Sequence, residues 1–290
     1  MRTLLIAGCG FAGRAAARLF HQAGWAVSAL TRSEQSAAAL SGEPYPVFAC
    51  DITDESRLAI LRERIGPMDA VLHCVSSGRG GAEEYLRAYL FGAQNLWRTF
   101  SPAKFLFTSS TSVYAQTDGS WVDEDSSPAE PARETGRILR RTENFVLEQG
   151  GCVARLAGLY GPGRAVLLEK FLNGRAVIEG DGSRWINQIH RDDAAGALFF
   201  LLNDAPGSGI YNVADDSPLT QLECYQWLAE HFRQPTPPNG PPDLDRKRGW
   251  TSKRVSNRKL RELGRSCKYP SFKEAVLKDA ELAGVARKVD

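Results

Sequence analysis

Short apolar runs rich in β-branched residues alternate with longer stretches of helical periodicity over the first two thirds of the chain. The apolar runs predict six strands, at Thr3–Gly8, Trp25–Thr31, Tyr45–Cys50, Ala70–Val75, Lys104–Ser109 and Cys152–Leu159. The longer stretches predict helices at Gly13–Ala23, Glu34–Leu40, Ser56–Arg64, Glu83–Phe100 and Glu134–Gln149. Strands without polar alternation are typical of a sheet covered on both faces, and strand–helix–strand repetition requires parallel pairing. The pattern therefore predicts an α/β fold with a doubly wound parallel sheet.

The pattern changes after residue 160, where glycine-rich and proline-rich turns become frequent. We predict a first domain over residues 1–160 and a smaller C-terminal lobe over residues 161–290. The helix predicted at Ala194–Asn203 and the strand predicted at Ile210–Val213 lie in a segment, near residues 186–215, that partly rejoins the sheet. Prolines exclude a helix from Pro235–Pro242 and predict a mobile or polyproline loop there.

Composition and charge narrow the range of partners. The 290 residues carry 36 Lys+Arg and 34 Asp+Glu, a formal net charge of +2, whereas nucleic-acid-binding proteins usually carry a basic excess. No apolar stretch reaches the roughly 18 residues of a membrane-spanning helix. The six cysteines form no Cys-x-x-Cys pair, which is typical of a reduced, cytoplasmic protein without a zinc site. We therefore expect a cytoplasmic protein with a small-molecule substrate, and neither nucleic acid, membrane nor metal as a partner.

A glycine-rich turn, Gly8-Cys9-Gly10-Phe11-Ala12-Gly13, follows the first predicted strand and opens the first predicted helix. In this context the Gly-x-Gly-x-x-Gly pattern is typical of dinucleotide binding in Rossmann-type folds. Gly8 permits the tight turn, Gly10 leaves room for a pyrophosphate, and Gly13 lets the helix approach the sheet closely. The helix N-terminus then supplies N–H groups to the anion. The alternative interpretation is a plain tight turn without a ligand.

The residues after the second strand bear on the choice of cofactor. An acidic residue there would bind the ribose hydroxyls and repel a 2′-phosphate, but the chain has Thr31-Arg32-Ser33. Arg32 can pair with a phosphate, so NADP is favoured and NAD is the alternative; the other interpretation of Arg32 is a solvated surface cation. Asp51 is predicted either to accept from the adenine amino group or to cap the next turn. The predicted cofactor-binding residues are Gly8, Gly10, Phe11, Ala12, Gly13, Thr31, Arg32, Ser33, Asp51, Ile52, Val75, Ser76 and Ser109.

Further motifs follow the glycine turn in a defined order. They are Thr108–Tyr114, Arg155–Gly163, His190–Asp193, Tyr211–Asp215 and Ser252–Asn257. The ordered set resembles the extended short-chain dehydrogenase/reductase superfamily, which includes nucleotide-sugar epimerases and dehydratases, and within it the atypical YeeZ-like subgroup. The resemblance covers nearly the whole chain and implies hydride transfer at a carbonyl or hydroxyl carbon of a sugar-like substrate. It also implies a homodimer formed through the helices at Glu83–Phe100 and Glu134–Gln149.

The resemblance implies catalytic residues, and here the chain departs from the family pattern. In the family a Ser or Thr after the fifth strand binds the reacting oxygen, and Ser110 matches that position; the alternative is that Ser110 only satisfies local backbone groups. The family's acid–base dyad is Tyr-x-x-x-Lys on the next helix, where this chain has Thr135 and Leu139. Tyr89 stands at the position of a family Asn and is either a relocated acid or a packed aromatic. Tyr114, Tyr160 and His190 are the other possible proton donors.

The family's C-terminal lobe binds the second ligand, often a nucleotide diphosphate sugar. We accordingly predict Ser112, Tyr160 and Arg254 as substrate-binding residues. Lys253 and Arg254 lie where the family places phosphate-binding cations; the alternative is a solvated basic stretch without a ligand. Asp193 is expected to cap the helix that begins at Ala194.

Two functions fit these observations. The first is an NADP-dependent oxidoreductase or epimerase/dehydratase-like enzyme with a non-standard donor in place of the missing Tyr. The second is a catalytically lapsed sensor or regulatory protein that binds NADP and a ligand without redox chemistry. The intact glycine turn and Ser110 favour the first function, whereas Thr135 and Leu139 favour the second. We prefer the first.

Overall fold

A computed structural model describes residues 1–78, 80–127, 133–205, 207–244 and 250–282 of the chain. Its strands are β1 Thr3–Ala7, β2 Ala26–Thr31, β3 Val47–Ala49, β4 Ala70–His73, β5 Lys104–Ser110, β6 Trp121–Val122, β7 Cys152–Leu156, β8 Gly158–Tyr160, β9 Ile178–Glu179, β10 Trp185–Ile186, β11 Gln188–His190, β12 Gly209–Val213, β13 Leu219–Thr220, β14 Asn239–Gly240 and β15 Arg254–Val255. Seven of them form the central sheet in the order β12-β7-β5-β4-β1-β2-β3.

The order of the central strands confirms the predicted α/β doubly wound sheet. β1 pairs in parallel with β2 on one side and with β4 on the other. The chain runs outward from β1 to β3, then returns to β4 and continues outward in the opposite direction. The strand order therefore reverses between β1 and β4, and doubly wound sheets bind ligands outside the carboxyl ends of the strands at such a point.

Helices flank this sheet and follow the predicted alternation. The α-helices are α1 Phe11–Gln22, α2 Glu34–Ala38, α3 Glu55–Ile65, α4 Ala82–Tyr85, α5 Gly92–Phe100, α6 Glu134–Glu148, α7 Val166–Leu172, α8 Arg191–Asn203, α9 Gln221–Phe232, α10 Arg258–Glu262 and α11 Phe272–Lys278. In α1 the buried residues Gly13, Ala16, Ala17 and Phe20 recur at helical spacing, so one face packs inward. None of the described helices is long and apolar enough to cross a bilayer.

The structure corrects the prediction of one helix over Glu83–Phe100. The segment consists of α4, a π-helix at Leu86–Phe91 and α5. A π-helix has an i→i+5 hydrogen-bond pattern, so it contains one more residue per turn than the apolar periodicity implies. The apolar pattern alone therefore indicates a helix but not this change of register.

Three further predictions about local structure were wrong in detail. The strand expected over Cys152–Leu159 is divided into β7 and β8, because β8 leaves the central sheet and pairs with β11. The loop expected over Pro235–Pro242 contains β14, which pairs in parallel with β9. Asp193 does not cap a helix from outside, because α8 already begins at Arg191; its carboxylate accepts from the backbone N–H groups of Lys268 and Tyr269.

The chain divides into two compact units. Unit 1 contains Met1–Val113, Ala132–Arg155 and Ala194–Tyr211, and unit 2 contains Tyr114–Pro131, Leu156–Asp193 and Asn212–Asp290. Unit 1 includes the fully buried side chains of Leu4, Leu5 and Ile6 on β1. Unit 2 has its own apolar core, in which Leu168, Leu228 and Phe272 from three helices are almost completely buried.

Candidate functional site

The glycine-rich turn leaves the carboxyl end of β1 in close contact with neighbouring backbone. The Gly8 N–H donates to the Leu30 carbonyl at 3.1 Å. Gly8 has a φ of +97°, and a Cβ on it would lie 2.6 Å from backbone atoms of Cys74 and Val75. A Cβ on Gly13 would lie 2.1 Å from the Gly8 carbonyl oxygen. Both positions therefore need glycine for the fold itself.

The middle glycine of the turn has a different environment. A Cβ on Gly10 would meet no heavy atom of the described residues within 4 Å, and its φ of −92° is accessible to any residue. Gly10 is also the N-cap of α1, where no described side chain caps the helix and the first turn contains no acidic residue. The positive end of the α1 dipole thus adjoins open space, an arrangement that favours phosphate.

The residues after β2 combine turn contacts with one exposed cation. The Thr31 hydroxyl donates to the Ser33 carbonyl at 3.3 Å. The Ser33 hydroxyl accepts from the Ser36 backbone N–H at 3.3 Å and caps α2. Arg32 between them is exposed and forms no ion pair with any residue that the structure describes. A phosphate at this end of β2 would therefore meet a guanidinium that is not already neutralised.

Glu43 contacts α1, the helix that follows the glycine turn, and the sequence pattern did not single it out. It accepts from Arg14 Nε at 2.5 Å and from Arg18 Nε at 2.8 Å. Hydrogen bonds from Arg18, and then from Arg14 and Tyr45, outweigh burial and lower the pKa of Glu43 to about 2. Because the two arginines on α1 are engaged by Glu43, they are less available to a cofactor than Arg32.

The residues after β3 show the turn contact predicted for Asp51. Asp51 Oδ1 accepts from the Thr53 backbone N–H at 2.9 Å and from the Thr53 hydroxyl at 2.8 Å. Ile52 is buried, and its carbonyl accepts from Asn95 Nδ2 at 3.1 Å. The second carboxylate oxygen of Asp51 does not take part in these two bonds, so the predicted adenine contact stays compatible with the turn.

The end of β4 carries a buried histidine that the sequence analysis missed. His73 is fully buried, and burial lowers its pKa to about 4. Its ring lies beside that of Tyr89, at a centroid distance of 6.5 Å. Tyr89 is 6% exposed, and its hydroxyl accepts from the Ser77 backbone N–H at 3.4 Å. A histidine within an apolar strand gives no sequence signal of this contact.

Tyr89 therefore has features of both predicted alternatives. Its ring packs in an aromatic cluster, with Tyr85 at 5.0 Å and Phe107 at 5.9 Å between ring centroids. Its hydroxyl nevertheless reaches the segment after β4 that contains Val75, which is partly buried, and Ser76, which is exposed.

The two serines at the end of β5 make different contacts. Ser109 donates to Glu143 Oε1 at 2.5 Å, and the same carboxylate accepts from Arg155 Nε at 3.0 Å and from a terminal Arg155 nitrogen at 2.7 Å. All three residues are buried. Ser110 accepts from the Ser112 backbone N–H at 3.2 Å. The Ser109 hydroxyl proton thus links β5 to α6, whereas Ser110 stands at the carboxyl end of the strand.

The positions of the family's acid–base dyad lie on α6 and are not acidic or basic. Thr135 lies in the first turn and is partly exposed, and Leu139 is 2% exposed. The sequence of α6 contains neither Tyr nor Lys. A threonine hydroxyl is a weak proton donor, and a leucine side chain cannot exchange a proton at all.

Tyr160, a predicted substrate residue in unit 2, is buried between other rings. It is 3% exposed and packs against His190 and Phe272, with centroids 5.4 and 5.5 Å away. Its hydroxyl has no hydrogen-bond partner among the described residues, and burial raises its pKa further above the usual range. A hydroxyl in this environment releases a proton less readily than an exposed tyrosine.

The two neighbouring cations predicted to bind phosphate have distinct surroundings in unit 2. The Arg254 guanidinium lies 5.1 Å from the Trp121 ring centroid and 4.9 Å from that of Trp185, and its Nε donates to the Gly119 carbonyl. Lys253 is 4% exposed, and its ammonium donates to the Thr251 hydroxyl at 2.9 Å.

The Lys253 ammonium is unfavourably placed in the absence of an anion. Burial, and then the positive charge of Arg184, lower the pKa of Lys253 to about 8. The pKa of Arg184 is itself lowered by burial. Arg184 has a carboxylate nearby, with Glu179 Oε2 at 3.7 Å from its Nε, so Lys253 is the cation of the two that a bound anion would stabilise more.

A group of three residues in unit 2, His190, Asp192 and Asp279, has the ligand types of a metal site, and one ring nitrogen of its histidine already accepts a backbone hydrogen bond. His190 Nδ1 accepts from the Asp192 backbone N–H at 3.2 Å, and His190 Nε2 lies 3.2 Å from Asp279 Oδ2. Burial lowers the pKa of His190. Its Nε2 is buried and makes no hydrogen bond with any residue that the structure describes, although Asp279 Oδ2 lies 3.2 Å away.

Comparisons with known proteins agree on a family and a fold. The profile of the NAD dependent epimerase/dehydratase family matches residues 4–214. Protein YeeZ of Escherichia coli strain K12 is 30% identical over 285 residues, covering 93% of this chain and 97% of that protein.

Solved structures are similar over almost the full length. A Methylobacillus flagellatus protein assigned to the NAD-dependent epimerases/dehydratases is 27% identical, with 99% of each chain covered and a TM-score of 0.78. MoeE5, solved with UDP-glucose and NAD, has a TM-score of 0.80 at 20% identity, covering 99% of this chain and 100% of that one. The likeness to MoeE5 at this identity shows the shared fold.

Proposed function

The chain belongs to the NAD-dependent epimerase/dehydratase family, and from that membership we propose that it binds a nicotinamide dinucleotide, preferentially NADP, and transfers hydride at a carbonyl or hydroxyl carbon of a sugar-like or nucleotide-sugar substrate. The observation that carries the proposal is the glycine turn. Gly8 and Gly13 are closed by neighbouring backbone, whereas Gly10 adjoins open space at the start of α1. That combination leaves room for a pyrophosphate where the helix dipole favours an anion.

The preference for NADP rests on the end of β2. Arg32 is exposed there, and the carboxylate that would repel a 2′-phosphate is missing from Thr31-Arg32-Ser33. Glu43 contacts α1 instead, where Arg14 and Arg18 neutralise it. MoeE5 was solved with NAD, so the affinities for NADP and NAD need separate measurement.

The nicotinamide ring, when bound, accepts or donates the hydride, and the chain's own residues orient the substrate. The Ser110 hydroxyl, at the carboxyl end of β5, would bind the reacting oxygen. Thr135 and Leu139 cannot supply the family's acid–base help, which is worth about 10²–10⁴-fold in rate. Turnover is therefore expected to be slow unless another donor, for which Tyr89 is the candidate within unit 1, supplies the proton.

A phosphate-bearing substrate is supported by the cations of unit 2. The positive charge of Arg184 adds to the burial that disfavours the Lys253 ammonium, and an anion beside Lys253 would offset both effects. Arg184 itself has a carboxylate nearby, since Glu179 Oε2 lies 3.7 Å from its Nε. MoeE5 binds UDP-glucose, whose diphosphate has the matching charge. Lys253 is the stronger candidate of the predicted pair, because Arg254 is stacked between two tryptophans.

Gly10→Val tests cofactor binding at a position where an added Cβ would meet no heavy atom of the described residues within 4 Å. The valine side chain would enter the space reserved for the pyrophosphate, so the Kd values for NADPH and NADH should rise at least about 100-fold, since several hydrogen bonds to a charged group are lost. The matched control is Gly42→Val, also at a position with no described heavy atom within 4 Å of the added Cβ. Equal Kd values for the Gly10 variant and the wild type would refute the proposal.

The alternative function is a lapsed enzyme that senses NADP and a second ligand without chemistry. The buried, apolar Leu139 at the position of the family's lysine favours it. Three measurements separate the two functions: NADPH oxidation with carbonyl compounds, NADP⁺ reduction with nucleotide sugars, and conversion of the nucleotide sugars themselves. The third is needed because an epimerase or dehydratase returns the hydride and leaves the cofactor unchanged overall. Turnover that is lost in Ser110→Ala supports the enzyme, whereas tight NADPH binding without turnover on any substrate supports the sensor.

A further inference from the structure

His73, at the end of β4, is a polar side chain in a fully buried position, which costs free energy of folding. Its ring is fully buried, and Nε2 donates to the Ala88 carbonyl at 3.1 Å. Nδ1 is buried as well and has no partner among the described residues. A leucine would fill the same space without leaving a nitrogen unsatisfied. The bond to Ala88 is the contribution that an apolar side chain could not make.

Ala88 lies inside the π-helix at Leu86–Phe91. The Gly92 N–H bonds to the Arg87 carbonyl, five residues earlier, which is the π-type spacing. A side chain that donates into the backbone ladder is a recognised cause of such an irregularity. Gly92 is also closely packed, since a Cβ on it would lie 2.4 Å from Ile52 Cδ1 and 3.3 Å from His73 Nε2. His73 thus lies against the middle and the end of the π-helix.

The register of the π-helix determines where Tyr89 points. One extra residue in a helical turn rotates the residues that follow by about 100° relative to a continuous α-helix. In the observed register the Tyr89 ring lies beside His73, and its hydroxyl accepts from the Ser77 N–H. Ser77 directly follows Val75 and Ser76, which are predicted to contact the cofactor, and the backbone of Val75 packs on Gly8. The contacts form a continuous path from His73 to the glycine turn.

We propose that His73 is a positioning residue: by donating to the Ala88 carbonyl it holds the π-helix in the register that places the Tyr89 hydroxyl on Ser77, and so shapes the segment after β4 for the dinucleotide. The expected effect on dinucleotide affinity rests on the proposed function. The hydrogen bond that orders Ser77 is independent of that function, and it can be measured without any ligand.

The experiment compares His73→Leu, His73→Gln and Tyr89→Phe with the wild type. Leucine removes the donor, glutamine keeps an N–H donor of similar reach, and phenylalanine removes only the hydroxyl. Tyr225→Phe is the matched control, because it makes the same change at a buried tyrosine on a helix of unit 2. Hydrogen exchange of the Ser77 amide is followed by NMR in the cofactor-free protein, and the Kd for NADPH is measured well below each variant's Tm.

Tyr89→Phe and His73→Leu should each speed exchange of the Ser77 amide and raise the Kd for NADPH by about threefold to tenfold, the usual worth of one hydrogen bond. The double variant should be no weaker than the worse single variant, because both changes break the same path. His73→Gln should recover part of the protection and affinity, and Tyr225→Phe should leave both unchanged.

Unchanged exchange of the Ser77 amide in Tyr89→Phe would overturn the proposal, and so would additive effects in the double variant. If His73→Leu does not fold, Tyr89→Phe and His73→Gln still decide. If the wild type binds neither NADPH nor NADH, the proposed function fails, while the exchange data still test the role of His73.

Discussion

The buried imidazole of His73 makes the stability of this protein depend on pH. Burial disfavours the charged form of His73 and lowers the pKa of its ring from the usual value of about 6.5 to about 4 in the folded protein. Between pH 6.5 and pH 4 the unfolded chain therefore binds a proton that the folded protein does not. The free energy of unfolding falls as the pH is lowered through that window, and it is unaffected by His73 above it.

We predict that the wild type loses about 2–3 kcal/mol more stability than His73→Gln when the pH is lowered from 7 to 4.5, since glutamine does not titrate. Urea unfolding at the two pH values measures the difference. The Glu43 carboxyl contributes at lower pH. Its pKa is lowered to about 2 in the folded protein, so the stability that its ionised form provides is lost as the pH falls from about 4.5, its pKa in the unfolded chain, to about 2. Equal losses in wild type and variant would show that His73 is protonated in the folded state.

Single residues were predictable from sequence where backbone geometry dictates them. The three glycines of the turn lie as the motif requires, because sterics at Gly8 and Gly13 are local to β1, α1 and the end of β4. The different hydrogen-bond partners of Ser109 and Ser110 were not predictable from sequence. Both are serines on one strand, and the partner of Ser109 lies 34 residues further along the chain.

At the scale of elements, a buried ion pair joins β7 to α6. Arg155 on β7 and Glu143 on α6 form a bidentate pair, with side chains 5% and 2% exposed. Ser109 on β5 supplies a third bond to the same carboxylate. Removing one member of such a pair leaves a buried charge without compensation, which costs more than the pair itself contributes.

Arg155→Met should therefore destabilise the protein by about 3–5 kcal/mol. The control is Arg137→Met on α6, the helix that carries Glu143. It breaks an exposed ion pair with Glu134 and should lower the free energy of unfolding by less than about 1 kcal/mol. Chemical denaturation of both variants provides the measurement. Adding Glu143→Gln to Arg155→Met should restore part of the lost stability, because the unpaired carboxylate is removed. If Arg155→Met alone loses as little stability as Arg137→Met, the interpretation is wrong.

The existence and order of the principal elements were predictable, whereas irregular elements were not. Apolar runs and helical periodicity correctly indicate β1 to β5 and the helices between them, because burial on both faces of a sheet leaves a strong pattern. The π-helix at Leu86–Phe91 receives a hydrogen bond from His73, which lies on a different element and 15 residues away from Ala88. The exit of β8 from the sheet depends on pairing with β11, which local sequence does not encode.

At the scale of the whole molecule, the chain crosses between the two units several times. Unit 1 takes its last segment, Ala194–Tyr211, from well beyond residue 160, and that segment contains most of β12 at the edge of the sheet. The chain position of a residue therefore does not by itself tell which unit it belongs to. Motifs read in order along the sequence, such as Arg155–Gly163, are divided between the units.

A fragment of residues 1–160 is accordingly expected not to fold as a stable monomer. It would lack α8 and β12, which leaves the edge of β7 unpaired and apolar surface uncovered. Expression of the fragment beside the full chain, with solubility and far-UV circular dichroism as readouts, tests this. A soluble fragment with cooperative unfolding would show that the six central strands it retains fold without β12 and α8.

The glycines of the turn between β1 and α1 are required for two different reasons, folding and ligand binding. Substitutions at Gly8 or Gly13 collide with backbone and are removed because the protein fails to fold, whatever it binds. A substitution at Gly10 meets open space and is removed only while a ligand occupies that space. Among descendants of this gene, a lineage that had abandoned its dinucleotide would therefore keep the outer two glycines and drift at the middle one, and residue 10 alone would date the loss.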